Sequence, residues 1–357
     1  MNILDDINYI KKIDVSEGYK SLELLPDQIR QVLIDSSVIK IPKEYSKVNN
    51  IVVAGMGGSN LGARIAKALF ATELKVPLDI LAGYEVPAYV NEKTLFVLSS
   101  YSGTTEEVLS LYLEVKKRGA KIIGITSRSG KKLEKMMMKE DILGYIFDPK
   151  FNPANSPRLA VGYAVFGLAV LLAKAGMLEL KTAVIEKIVN ILEVNDRELR
   201  PEADSDFNLA KQIAVQVKGK IPVIVGAEFL EANVFVMRNQ FCETAKNFAN
   251  YLVLPDLNHF AMEGLVYPEN NQHNLVFLFF DSELYTKRIQ KRALLTKQVI
   301  EKNSIKVISH KLQGKSKLGQ SMEMLQFASY VTYYLAILNE QDPIPNPWVD
   351  WFKENLG

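Results

Sequence analysis

The apolar run Leu95-Phe96-Val97-Leu98, followed at once by Ser100-Tyr101-Ser102-Gly103-Thr104-Thr105 and then by helix-forming Glu106 to Arg118, constrains this chain most. Four consecutive large apolar residues before a turn read as a buried strand of a parallel sheet. The hydroxyls crowd the turn that opens the next helix. Unpaired backbone N–H groups and the positive end of the helix dipole attract an anion there. Ser100, Ser102 and Thr105 add neutral donors without filling the space with bulky cations, which suits a small phosphate group. The alternative is a Ser/Thr helix cap that binds nothing, the usual explanation of such loops. A cap needs one hydroxyl, whereas this loop has five in six positions, at 100, 101, 102, 104 and 105.

A chain of 357 residues predicts roughly two domains. With 48% apolar and 24% charged residues it can bury a sizeable core, and a net charge of +2 points to neither nucleic acid nor a membrane surface as partner. The basic run from Lys131 to Lys139 contains Glu134 and reads as a solvated helix face. One cysteine, Cys242, excludes an internal disulfide framework and suits a reducing cytoplasm, the expected location. Three histidines and that cysteine draw no zinc-type cluster. The first residues show no secretory signal, and the apolar stretch Leu159 to Ala173 is shorter than the ~20 residues that span a bilayer, so it reads as a buried helix.

Strands and helices alternate along much of the chain. Residues 1–48 read as an N-terminal helical segment of one or two helices, and 49–155 as a first α/β subdomain carrying the phosphate loop. Residues 156–215 read as a helical connector, 216–320 as a second α/β subdomain, and 321–357 as a helical tail. In the first subdomain, strands are predicted at Asn50–Ala54, near Leu78–Ala82, at Leu95 and over Lys121–Thr126. In the second, a strand over Ile221–Gly226 precedes a helix over Phe229–Ala249. The segments 95–126 and 274–309 share one order of strand, polar loop, helix and strand, which predicts a duplicated topology. Asp281 and Glu283 occupy the second copy's loop and would repel a phosphate, so one phosphate site per chain is expected.

Several chemistries are excluded. Gly55-Met56-Gly57-Gly58-Ser59-Asn60 places asparagine where a dinucleotide fingerprint needs its third glycine, and neither a P-loop nor a Gly-x-Ser-x-Gly elbow occurs. What remains is a glycine turn, Gly57-Gly58, that lets backbone approach a ligand beside the hydroxyl loop. Glu243, flanked by Phe241, Cys242 and Ala245, is a candidate general base, or else a surface carboxylate paired with Lys246 on the same helix face. Cys242 reads as a small core residue. His259 in Asn258-His259 stands in a loop, where a histidine is either catalytic or structural; His273 and His310 have no supporting context.

Met56-Gly57-Gly58-Ser59, the hydroxyl loop, Pro157-Arg158, Asn239 to Lys246, Asn258-His259-Phe260 and Asp342-Pro343 occur in an order that resembles the bifunctional phosphoglucose/phosphomannose isomerases of the sugar isomerase (SIS) fold. The resemblance covers nearly the whole chain. It implies two SIS-type subdomains and aldose–ketose isomerisation of a hexose 6-phosphate through an enediol, with no metal or organic cofactor. It implies that Gly57, Gly58, Ser59, Ser100, Ser102 and Thr105 bind the phosphate end, that Glu243 shuttles a proton, and that Arg158 stabilises the enediolate. It further implies ring opening assisted by His259, donated across a homodimer, and by Lys353. The chain departs from the family's usual Asp-Pro-Thr/Ser-Pro-Val at Ile344 and Asn346. A non-catalytic sugar-phosphate sensor, or another SIS-fold reaction such as ketose-phosphate amination, is the rival reading. The amination would need a nucleophilic cysteine near the start, and a sensor of the regulator type a basic helix pair; residues 1–48 supply neither.

Overall fold

Nine parallel strands organise the described residues, 3–356 of a computed structural model. Met1, Asn2 and Gly357, at the outer ends of the first and last predicted segments, lie outside them. The chain divides into two compact units, Leu24–Ile191 and Met1–Glu23 with Leu192–Gly357.

In the unit Leu24–Ile191, β1 (Asn50–Ala54), β2 (Leu78–Leu81), β3 (Thr94–Ser100), β4 (Lys121–Ser127) and β5 (Leu143–Phe147) form a sheet in the order β2-β1-β3-β4-β5. All seven residues of β3 are buried, as its apolar run requires, because helices cover both faces of a parallel sheet. Phe96 and Leu98 pack with Val108, Leu111 and Val115 of the helix Glu106–Lys117 and with Leu133 and Met137 of the helix Lys132–Lys139. That second helix exposes its lysines and Met138 and buries Leu133, Glu134 and Met137. Glu134 is buried and accepts the main-chain N–H groups of Ser129 and Gly130. Elsewhere the helix Gly58–Leu69 meets Val161–Lys174 so closely that a Cβ at Gly62 would fall 2.1 Å from the Ala164 carbonyl oxygen. β5, which the sequence pattern does not single out, lies against β4 through Gly144, where a Cβ would collide with the Gly124 oxygen.

In the other unit, β6 (Ile221–Ala227), β7 (Asn250–Leu254), β8 (Leu275–Asp281) and β9 (Lys306–Lys311) run in the order β7-β6-β8-β9. This repeats β2-β1-β3-β4 strand for strand, as the duplicated pattern predicts. Its centre is the helix Lys317–Leu338, buried throughout from Gly319. The polar ends of its tyrosines are satisfied: Tyr330 donates to Asp196 (2.5 Å), Tyr333 to Asp14 (2.9 Å) and Tyr334 to the Leu199 carbonyl (2.5 Å). Lys211, fully buried, donates to Asp5 and to the carbonyls of Pro201 and Ala203.

Three expectations need correction. The first 48 residues hold three α-helices, Ile7–Ile13, Gly18–Glu23 and Leu25–Asp35, and they divide between the two units after Glu23. The helix expected over Phe229–Ala249 covers only Glu231–Glu243, because Lys246 takes a left-handed backbone (φ 52°) that ends it. Cys242 is exposed rather than a core residue: the buried face of this helix runs through Val236, Met237, Gln240 and Phe241 and turns away from position 242.

Candidate active site

The order β2-β1-β3-β4-β5 reverses direction between β1 and β3, and ligands of open parallel sheets bind beyond the carboxyl ends at such a switch point. Both the glycine turn and the hydroxyl loop emerge there. The Tyr101 N–H donates to Ser59 Oγ (2.8 Å) and Ser99 Oγ donates to the Ser59 carbonyl (2.7 Å), so the start of the helix Gly58–Leu69 is tied to the end of β3. Asn60, the residue that breaks the dinucleotide fingerprint, is buried and donates back to the Gly55 carbonyl (3.2 Å).

Ser100 is fully buried and organises the loop. Its Oγ accepts from the N–H groups of Gly103 (3.1 Å) and Thr105 (3.4 Å) and lies 2.6 Å from Thr105 Oγ1. Gly103 turns the chain at φ 68°, a backbone that suits glycine. Thr105 holds the N-cap position of the helix Glu106–Lys117, yet its side chain takes none of the first-turn amides; it faces Ser100. An ordinary hydroxyl cap therefore does not describe this loop. Ser102 is half-buried and shares a 3.1 Å contact with Thr104 Oγ1. Glu106 and Glu107 follow in the first turn, Glu106 exposed to solvent.

Arg158 lies against the glycine turn. It sits on the short 3-10 helix Pro157–Leu159, is 4% exposed, and its main-chain nitrogen would be 3.1 Å from a Cβ on Gly58. The missing side chain at Gly58 thus admits the Pro157-Arg158 backbone. Gly57, with φ 49° and nothing within 4 Å of its would-be Cβ, is the glycine whose turn faces open space. The approach to Arg158 is braced by Asn152, which donates to Tyr101 Oη (2.8 Å) and to the Ser156 carbonyl (2.9 Å). Burial pushes the Tyr101 phenol up to about 12, so it stays a neutral donor, 3.2 Å from Asn155 Oδ1. Ser59, the hydroxyl loop and Arg158 are thereby brought together within the unit Leu24–Ile191.

Glu243, His259 and Lys353 belong to the other unit. Glu243 is half-buried at the last turn of its helix, which is pinned to Lys317–Leu338 by Asn233 Nδ2 on the Ser321 carbonyl (2.8 Å) and Gln240 Nε2 on Ser329 Oγ (2.8 Å). Lys246 lies beyond the helix, not on its face, and donates to the Glu243 carbonyl (2.8 Å), where a cation suits the negative helix end. His259 is exposed on the 3-10 helix Asp256–His259 that follows β7. Its neighbour Asn258 anchors that turn, donating to Thr296 Oγ1 (2.7 Å) and accepting from Arg292 (3.1 Å). Sequence reasoning names neither Arg292 nor Thr296. Their i, i+4 spacing on the helix Lys287–Lys302 is the available signal. Lys353 is exposed on the helix Pro347–Leu356. His310, without context in the sequence, stacks on Phe327 (4.1 Å) and meets Phe280 edge-on, and its burial lowers it to about 4. Among the described residues no group of three or more His, Cys, Asp or Glu could hold a metal ion, and no helix is long and apolar enough to cross a membrane.

Comparison with known proteins follows the same division. A family model described as bacterial phospho-glucose isomerase C-terminal SIS domain matches residues 206–356, and one described as SIS domain matches 44–141. The bifunctional phosphoglucose/phosphomannose isomerase of Caldicellulosiruptor bescii is 32% identical over 345 residues, covering 95% of this chain and 98% of its own. That of Thermoplasma volcanium is 31% identical over 343 residues, covering 95% and 99%. A solved hypothetical protein from Thermus thermophilus shares the fold, with a TM-score of 0.74 at 16% identity over 98% of this chain and 93% of its own.

Proposed function

Since the chain belongs to the bifunctional phosphoglucose/phosphomannose isomerase family, we propose that it interconverts glucose 6-phosphate and mannose 6-phosphate with fructose 6-phosphate. The observation that carries this reading is the hydroxyl loop at the β1/β3 switch point. It gathers the hydroxyls of Ser100, Ser102, Thr104 and Thr105 at the start of the helix Glu106–Lys117, whose first-turn amides the Thr105 side chain does not cap. Gly57, Gly58, Ser59, Ser100, Ser102 and Thr105 hold the phosphoryl group.

With that end anchored, the reaction is an internal oxidation and reduction. The Glu243 carboxylate takes the proton from C2 of the open-chain aldose, and the electron pair forms the C1–C2 double bond as negative charge moves onto the C1 oxygen. Arg158, a buried and fixed guanidinium, stabilises that enediolate. Glu243 returns the proton to C1 while the proton of the C2 hydroxyl passes to the C1 oxygen, so that C2 becomes the ketone and C1 the alcohol. Reversal through either face of C2 gives the glucose or the mannose epimer. His259, from the second subunit of a homodimer, and Lys353 assist opening of the sugar ring. His259's exposure agrees with service to a neighbouring chain.

The test supplies each aldose 6-phosphate separately, with a chelator present, and follows fructose 6-phosphate. The expected result is conversion of both, and Glu243→Gln abolishes turnover while fructose 6-phosphate still binds. Binding without interconversion in the native chain would leave the sensor reading instead.

A further inference from the structure

A cavity of about 660 Å³ lies along β5, and every residue lining it belongs to the unit Leu24–Ile191. Ligand pockets run from about 300 to 1,000 Å³, so the space suits a small organic molecule. β5 supplies four consecutive lining residues, Leu143 to Ile146. Side chains alternate between the faces of a strand, so a cavity touching all four borders the free edge, where main-chain N–H and C=O groups have no ladder partner. This edge is distinct from the hydroxyl loop: β4 stands between it and β3, which at ~4.8 Å per strand separates the two by roughly 10 Å.

The wall facing β5 is already formed. Gln31 donates to the Asp148 carbonyl (2.9 Å) and accepts from the Tyr163 hydroxyl (2.7 Å). Asp35 accepts from Tyr145 (2.8 Å) and from Gln31 (3.3 Å), so its carboxylate is satisfied within the wall. These contacts also fix the direction of the helix Leu25–Asp35. It passes from Gln31, beside Asp148, to Asp35, beside Tyr145, and so runs toward the amino end of β5.

The cavity therefore has two chemically different ends. Toward the amino end of β5, Leu143 lines it together with Val38 and Ile39, which continue the chain beyond that helix; Val38 is 78% exposed. Beyond the carboxyl end stand Arg128, whose main-chain N–H donates to the Phe147 carbonyl (2.7 Å), and Lys150, which lies 4.8 Å from the centre of the Phe151 ring. Both are exposed, and among the described residues neither has a carboxylate partner. Lys40 is a third cation on the lining, and Asp148 an exposed carboxylate.

We propose that this cavity binds a nucleoside diphosphate. The base lies on Val38, Ile39 and Leu143 with its polar rim toward the open main chain of β5, and the phosphates reach Arg128 and Lys150. A guanidinium matches phosphate oxygens two at a time, and a carboxylate such as Asp148 takes a ribose hydroxyl. From Leu143 to Phe147 the strand covers roughly 13 Å, a span that calls for a base, a sugar and phosphates in line. An inorganic anion would leave the apolar end in water, and a sugar phosphate has no flat apolar face to cover it. The site needs neither the dinucleotide fingerprint nor the P-loop that the sequence lacks, since its phosphates meet side chains instead of a glycine turn.

Isothermal titration calorimetry on the full chain, with a chelator and about 150 mM salt, uses ADP, adenosine and inorganic pyrophosphate as probes. The expected result is one ADP per chain, with each fragment binding at least about tenfold more weakly. Arg128→Gln with Lys150→Gln weakens ADP binding at least about tenfold, and Val38→Asp does so from the opposite end; all these positions are exposed, and circular dichroism checks that the variants fold. Lys291→Gln with Lys302→Gln removes the same charge from exposed positions of the other unit and leaves Kd within about twofold, as does Ser102→Ala in the hydroxyl loop. No binding at about 1 mM ADP overturns the proposal. Pyrophosphate binding as tightly as ADP overturns it in favour of a polyanion patch. Weakening by Ser102→Ala but not by the variants at 128 and 150 assigns the nucleotide to the hydroxyl loop and overturns it as well.

Discussion

Replacing Gly58 by alanine tests whether the glycine turn exists to seat Arg158. The new Cβ would stand 2.9 Å from both the carbonyl carbon and the Cβ of Pro157 and 3.1 Å from the Arg158 nitrogen. Carbon atoms in favourable contact sit about 3.5–4.0 Å apart, so roughly 0.6–1 Å of overlap must be relieved. Main chain and a proline ring line the clash, and no rotamer change removes it. Overpacking of this kind costs about 1–3 kcal/mol, which at about 2–4 °C per kcal/mol lowers Tm by roughly 2–12 °C. The larger effect is kinetic. The relief shifts either the turn bearing Ser59 or the segment bearing Arg158, and a misplacement of about 1 Å at a reacting centre costs on the order of 100-fold in kcat. Differential scanning calorimetry and steady-state isomerisation of glucose 6-phosphate read the two effects. Gly83→Ala, where a Cβ meets nothing within 4 Å, is the control. If Gly58→Ala keeps both Tm and kcat, the turn does not position Arg158 and the reasoning fails.

Three further outcomes follow from the geometry. Ser100→Ala leaves the Gly103 and Thr105 N–H groups without their buried acceptor and costs about 1–3 kcal/mol of stability; Ser102→Ala, whose partner is only Thr104, stays within about 0.5 kcal/mol while KM for the sugar phosphate rises about tenfold or more. Equal stability losses in urea titrations of the two variants would contradict this division of labour. Asn258→Ala frees the turn carrying His259 from Thr296 and Arg292, and kcat falls about tenfold with KM within twofold; Thr296→Ser retains activity and Thr296→Val does not. A change confined to KM would show that the clamp does not serve His259. His310 sits near pKa 4 when folded against 6.5 when unfolded, so between those values the unfolded chain binds the extra proton and stability falls as pH falls, by up to about 3 kcal/mol. His310→Phe, which keeps the stack on Phe327, flattens that slope in chemical denaturation from pH 7 to 4; an unchanged slope refutes it.

How much of this is legible in the sequence depends on whether side-chain type or backbone conformation carries the information. β3 and its loop are readable because burial on both faces demands an unbroken apolar run and the hydroxyls interrupt it abruptly. β5 escapes because Gly144 weakens its pattern, and its reason, backbone contact with Gly124, is a property of two strands already paired. The end of the helix at Glu243 escapes for a related reason. Thr244-Ala245-Lys246 could continue a helix, and the left-handed turn falls on lysine rather than on the glycine that usually announces it. Gly58 stands out in the sequence, but for a different role: the pattern suggests the approach of a ligand, whereas the neighbour its Cβ would strike is Pro157. Arg292 and Thr296 offer only their i, i+4 spacing as a local signature, since what they do depends on a loop 34 and 38 residues earlier.

The duplication explains why the sheets can differ in chemistry while agreeing in topology. β3 and β8 hold equivalent places, and each leads to a helix whose N-cap is a threonine. Thr286, after β8, caps in the ordinary way, accepting the Ile289 N–H (3.4 Å). Its loop is filled from within: Asp281 pairs with Lys297, Glu283 with Lys311, and Ser282 donates to Gln320. Thr105, after β3, turns instead to Ser100 and leaves its helix amides to an incoming anion. One sheet therefore satisfies its helix start with its own side chains and so needs no ligand there, while the other is completed by the phosphate it is proposed to hold. Thr105→Ser should preserve that difference and Thr105→Val should erase it. If the valine variant bound fructose 6-phosphate as tightly as the native chain, the contrast between the two threonines would be structural variation without functional meaning.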